Sequence, residues 1–402
     1  MLRFIHAADL HFDRSFEGLK GLCEEAVRLL PERNRQMLDN LVAAAIAKEV
    51  DFVLLAGDTF HQAKPSLKAQ GALMEALRRL EQAEIPVFMS FGNHDYYKAE
   101  RYWFAFPENV CLFTKASVTS YDGVTSQGEG YRISGFSYET PHLEQELVSA
   151  FPVRSGETYA LGMYHGDPAA AVYAPFSLAE MKAKGYDYWA LGHIHVPTVL
   201  SETPPILYPG TPQGHSRKET AGGFVEYVEL TPGHCRHEAV PVAAVFWREL
   251  TVSAAHSDRK KLLAELAEQL LALGNEQTLL VAVKLAHSRL DAQTTAAVKN
   301  GELQQYLNQL LWQDSEIQIA SLELLDDTEA ERGERPQLSA ARTAQHLAVY
   351  QDQQIFGELL EELYRHPIAG ELLQEYPAYQ QDVLAAANDR LAADFALEED
   401  EK

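Results

Sequence analysis

The chain has 402 residues, 46% of them hydrophobic and 23% charged, a globular composition too long for one ordinary domain. Its net charge of −24 excludes tight nucleic-acid binding through bulk charge alone. Half of that excess lies in 326–402, where 18 acidic residues face 6 basic ones. Three scattered cysteines, Cys23, Cys111 and Cys235, give neither a disulfide framework nor a Cys-type zinc site.

The chain opens on the apolar run 4–7. No basic and apolar leader precedes it and no stretch nears the ~18 residues of a membrane span, so a soluble cytoplasmic protein is expected. Further apolar runs at 52–56, 87–90, 160–163, 188–191 and 206–208 are short and unbroken, the mark of strands buried on both faces. Helical spacing at 32–49 and 66–83 separates the first three. Strand and helix alternation predicts an α/β layered core over 1–240. Past Gly128 the strands crowd together (131–136, 223–230), which predicts a second sheet. Residues 245–325 read as a small βαβαβ accessory domain, with strands at 246–252, 278–285 and 316–325 and helices at 257–273 and 293–312. The charged segment 326–336, with Gly333 and Pro336, reads as a linker. Helical spacing over 337–364 and 369–397 follows, and helices on a linker often bury an apolar face on a partner.

Five motifs carry chemistry, each just past a strand: Asp9-Leu10-His11, Gly57-Asp58, Gly92-Asn93-His94-Asp95, Tyr164-His165-Gly166 and Gly192-His193-Ile194-His195. Asp, Asn and His are ligands that Mn, Fe and Zn accept. Loops at the carboxyl ends of strands are where such folds place sites. In an extended segment Asp9 and His11 share a face. Asp58 can bridge two ions with its two oxygens. One ion is then assigned Asp9, His11, Asp58 and His195, the other Asp58, Asn93, His165 and His193. Two such ions clamp a phosphate ester and make a nucleophile of water. His94 faces away from Asn93 and is placed to protonate the leaving oxygen, with Asp95 as its orienting partner. His61, three residues past Asp58, reaches the same pocket. His6, His142 and His215 are read as structural or surface residues.

The set resembles the calcineurin-like metallophosphoesterases over 1–230. The stretches Ile5-His6-Ala7-Ala8-Asp9-Leu10-His11-Phe12-Asp13, Leu55-Ala56-Gly57-Asp58-Thr59-Phe60-His61 and Tyr208-Pro209-Gly210-Thr211 are similar to the DNA repair exonuclease branch of the SbcD type, nearest its YhaO-like members. The resemblance implies a layered αββα core, a two-sheet sandwich flanked by helices, with a small α+β capping domain at 245–325. It implies a manganese-dependent DNA exonuclease or endonuclease that works with an SMC-like coiled-coil ATPase of the SbcC or YhaN type in double-strand-break repair. That ATPase would dock on the helical region 337–397, and two copies would pair through the nuclease domain. Two alternatives share these motifs: a phosphodiesterase or phosphatase acting on small molecules or phosphoproteins, and a non-catalytic scaffold that recruits an ATPase.

Overall fold

The computed structural model describes residues 1–325 except 126, 254–258, 275–276, 287–289 and 313–314, and then 337–339, 347–360, 373, 379–394 and 396–398. The chain divides into two compact units, Met1–Leu325 and Asp326–Lys402.

In the first unit, β1 (Leu2–Ala7), β2 (Phe52–Ala56), β3 (Val87–Ser90) and β4 (Val110–Leu112) pair in parallel, and β11 (Phe224–Thr231) and β12 (His234–Pro241) extend that sheet antiparallel past β1. A second six-stranded sheet runs β5 (Thr119–Val124), β6 (Gly130–Gly135), β7 (Tyr159–His165), β8 (Tyr188–Gly192), β10 (Pro205–Tyr208) and β9 (Thr198–Glu202). The buried runs divide by alternation. Phe4, Phe52, Leu54 and Ala56 face Ile133, Leu161, Met163 and Tyr188 between the sheets. Ile5, Ala7, Val53 and Leu55 face helices α1 (Glu24–Ala47) and α2 (Leu67–Gln82). Trp189, Tyr164 and Phe151 pack with Met181 of the short helix α3 (Leu178–Ala183) on the outer face of the second sheet. Both sheets are thus covered on both sides, as the αββα reading requires.

Helix α1 starts eight residues earlier than its spacing suggests and passes through Pro31. Tertiary packing overrides the proline, because Leu30 is buried with Val245, Trp247, Leu280 and Ala320. Those last four belong to a three-stranded, all-parallel sheet of β13 (Val245–Ser253), β14 (Thr278–Ala286) and β15 (Ile317–Leu324). Helix α4 (Arg259–Leu271) follows β13. The single helix expected at 293–312 is two, α5 (Ala292–Lys299) and α6 (Glu302–Leu311), parted at Gly301, whose φ of 80° no helix accommodates. This sheet is stitched to the catalytic layers. Asn308 and Gln304 of α6 donate to the carbonyls of Gly21 and Lys20, and Arg33 of α1 pairs with Glu316.

In the second unit α7 (Gln353–Leu359) and α8 (Tyr379–Asp394) are helical, and Phe356 is buried against Tyr379. The helical reading of 337–397 is corrected at both ends. Gln337–Ser339 (β16) and Ala396–Glu398 (β17) form a parallel two-stranded ladder, backbone pairing there outweighing a weak helical pattern. The linker read at 326–336, and the Leu363, Tyr364 and Leu372 of the expected apolar faces, lie outside the described residues.

Candidate metal centre

β1, β2, β3, β7 and β8 all end at one edge, and each motif leaves there. The backbone that follows is not extended. Asp9, His11, Asp58 and His193 have φ of 52°, 41°, 52° and 106°, the left-handed region that costs an ordinary residue about 1–2 kcal/mol. This corrects the strand-face argument for Asp9 and His11. Their side chains converge because the chain coils, with Asp9 N–H donating to the Gly57 carbonyl (3.1 Å) and His11 N–H to that of Asp58 (3.1 Å). The glycines serve proximity as well as turning. A Cβ at Gly57 would sit 2.3 Å from His165 Nδ1, and one at Gly92 would sit 2.2 Å from Asp58 Oδ1.

Asp9, His11, Asp58 and His165 are buried outright. The structure brings all seven residues read as ligands into two overlapping groups. On one side His11 Nε2 lies 3.2 Å from His195 Nε2 and 3.7 Å from Asp58 Oδ2, and His195 Nε2 lies 4.0 Å from Asp9 Oδ1. On the other, Asn93 Oδ1 faces His165 Nε2 at 3.2 Å and His193 Nδ1 at 3.0 Å, with Asp58 Oδ2 3.5 Å from His165 Nε2. Asp58 is common to both.

Several of these rings have a settled tautomer. His165 Nδ1 must carry the proton it donates to the Ala56 carbonyl at 2.9 Å, leaving Nε2 toward the site. His195 Nδ1 donates to Glu219 Oε1 at 2.7 Å, leaving Nε2 toward His11. In the neutral rings, His165 Nε2 then turns a lone pair toward Asn93 Oδ1 and His195 Nε2 one toward His11, an arrangement that a cation among them would relieve. Electrostatics point the same way. Burial lifts Asp9 to about 6. Burial would also lift Asp58, but His165 and His11 beside it hold that carboxyl far below the usual range. Burial disfavours charge on His165, yet Asp58 outweighs it and raises the imidazole to about 9. The donors are mixed O and N, with no thiolate, which suits Mn, Fe or Zn alike.

The remaining site readings divide. His94 donates its backbone N–H to Asp58 Oδ1 (2.9 Å) and its Nδ1–H to the His61 carbonyl (3.1 Å), so Nε2 is the free ring atom. Its ring stacks on that of His61 at 4.9 Å and meets His11 edge-on at 4.9 Å. Asp95 is not beside His94 as its orienting partner. Its buried carboxylate accepts the N–H groups of Asp58, Thr59, Phe60 and Gly92 at 2.8–3.2 Å, pinning the loop that carries Asp58 to the one that carries Asn93. His6 is buried between Tyr188 and the Leu191 carbonyl, His215 is buried on Asn34, and His142 lies exposed beside Tyr173.

One residue had escaped the sequence reading. Glu219 holds His195 and also accepts from Arg14 (2.9 Å) and from the N–H groups of His215 and Ser216. Burial works against its charge, but these donors hold it well below the carboxylate range. Glu219→Gln keeps the shape and loses the charge that favours the ring's orientation. It is expected to weaken Mn affinity about 10–100-fold, read by isothermal titration calorimetry. Unchanged affinity would leave Glu219 a structural loop residue.

The calcineurin-like phosphoesterase profile matches residues 2–197. The chain is 33% identical over 340 residues to an uncharacterized metallophosphoesterase, YhaO, of Bacillus subtilis, covering 82% of this chain and 83% of that one. It is 23% identical to the SbcD component of the nuclease SbcCD of the same organism, covering 63% and 70%. It is 27% identical to the DNA double-strand break repair protein Mre11 of Haloferax volcanii, covering 58% of this chain and half of that protein. Among the described residues no helix is long and apolar enough to cross a membrane.

Proposed function

The chain belongs to the calcineurin-like phosphoesterase family of metal-dependent hydrolases, and from that premise we propose that it is a cytoplasmic DNA nuclease component hydrolysing phosphodiester bonds with two divalent ions, Mn foremost. One ion would be held by Asp9, His11, Asp58 and His195, the other by Asp58, Asn93, His165 and His193. When bound, the pair supplies Lewis-acid polarisation of the ester and a water acidic enough to attack phosphorus.

The chain's own residues do the rest. Asp95 and Glu219 hold loops and rings so that the lone pairs point inward before any ion arrives. His94, fixed at Nδ1, has only Nε2 to offer the substrate. As imidazolium it would donate there to the leaving oxygen. His61 sets that ring by its carbonyl and by stacking.

The observation that carries the reading is the shared Asp58 carboxylate between two lone-pair clusters, on a chain whose relatives include a nuclease component and break-repair proteins by name. The second unit, with helices in 337–397, is our candidate for docking a coiled-coil ATPase of the SMC type. Such a partner would contribute DNA affinity that a chain of net charge −24 does not. Pairing of two copies through the catalytic region is part of the same reading.

The test is cleavage of linear duplex and single-stranded DNA with Mn, Mg or EDTA, with and without the ATPase. Mn-dependent cutting abolished by EDTA is the expected result. Turnover of bis-p-nitrophenyl phosphate without any DNA cleavage, even with the ATPase, would move the substrate to another phosphodiester.

A further inference from the structure

A cavity of about 590 Å³ opens beside the metal centre, between the loop 12–22 and the first turns of α1 and α2. The loop is shaped by left-handed turns at Gly18 and Gly21, with φ of 71° and 66°. Its walls are mixed, with an apolar part made by Phe12, Phe16, Leu22 and Leu30 beside the polar Asp13 and Asn34. Phe16 is half-buried, its ring 5.2 Å from that of His215.

Three observations say what fits there. First, the wall is continuous with the catalytic loops. Asp13, which lines the cavity, accepts the backbone N–H of His61 at 2.5 Å, and His61 in turn stacks on His94. Second, Arg35 and Lys68 also line it, are exposed, and have no ion pair among the described residues. Unlike Arg14 and Arg33 nearby, which are tied to carboxylates, these two leave their charge at the cavity rim. Third, the volume lies within the range that encloses a small organic ligand. An apolar slot with a cationic rim, one residue removed from a phosphoester-cleaving centre, matches a planar base with a phosphate on either side.

We propose that this cavity binds the nucleobase and sugar next to the scissile phosphate, with Arg35 and Lys68 receiving the flanking phosphate. The inference rests on the phosphodiesterase reading above and narrows its substrate to nucleic acid strands with an unstacked base.

The probe is a trinucleotide carrying a central 2-aminopurine, titrated with the full chain in EDTA so that no turnover intervenes. Withdrawing the base from its stacked neighbours should raise the fluorescence saturably. An abasic trinucleotide should compete at least tenfold more weakly. Arg35→Ala/Lys68→Ala should weaken binding about tenfold without shifting the thermal melt, and Leu22→Trp, which fills the slot, should do the same. No saturable rise, equal competition by the abasic strand, or unaffected binding in the double variant would overturn the proposal. So would a concentration-dependent dimer in sedimentation that both variants abolish, since the slot would then belong to a second copy. The two readings fail separately. If the chain turns over bis-p-nitrophenyl phosphate in Mn but gives no fluorescence rise, only the base slot is lost. If it turns over no phosphodiester, the phosphodiesterase reading itself is lost.

Discussion

Asp58→Ala is expected to lower turnover of bis-p-nitrophenyl phosphate by at least ~10³-fold, about 4 kcal/mol of lost barrier reduction. Asp58 Oδ2 lies 3.7 Å from His11 Nε2 and 3.5 Å from His165 Nε2, so both clusters lose a member with one substitution. The same carboxylate accepts the His94 N–H through Oδ1, so the loop that presents His94 loosens as well. Metal content measured by mass spectrometry should fall below two ions per chain in parallel with activity. Two tightly held ions in an inactive variant would mean that Asp58 acts on the substrate rather than between the metals.

His94→Ala should show the opposite split. Among the described residues its ring makes one hydrogen bond, to the His61 carbonyl, and it meets the first cluster only through the edge-on contact with the His11 ring. Metal content should therefore stay at the parent level while kcat falls about 10²–10³-fold, the usual contribution of a general acid. The leaving group supplies a sharper reading. An ester whose leaving group needs no proton, such as p-nitrophenolate, should lose much less than a DNA strand, whose alkoxide needs one. Equal losses on the two substrates would assign His94 to phosphate binding instead. Loss of metal would make it a ligand.

The contrast between these variants shows what was legible in the sequence. Every residue read as a ligand sits in a short motif after an apolar run, because strand ends are easily seen and the chemistry needs few residue types. Which atoms meet was less legible. The left-handed coil at Asp9 and His11 leaves no compositional trace, since neither is glycine, so an extended segment was the natural reading. Asp95 was adjacent to His94 in sequence and looked like its partner. In the fold the neighbouring side chain points elsewhere, and four backbone N–H groups claim it. Glu219 stood in Ser216-Arg217-Lys218-Glu219, a polar loop 24 residues past its partner His195, with no period to mark it. The early start of α1 was hidden by Pro31, a local signal defeated by contact with a sheet more than 200 residues away.

Four of the residues proposed as ligands occupy backbone conformations that cost energy whether or not an ion is present. Asp95, which accepts the Asp58 N–H, and Thr211, which donates to the Asp9 carbonyl, clasp those loops and hold a mould already set. A divalent ion would thus meet donors whose loops are already placed. Those donors are oxygen and nitrogen without thiolate, a set that several mid-sized divalent ions accept, so cellular supply of such ions becomes a determinant of which one such a site holds.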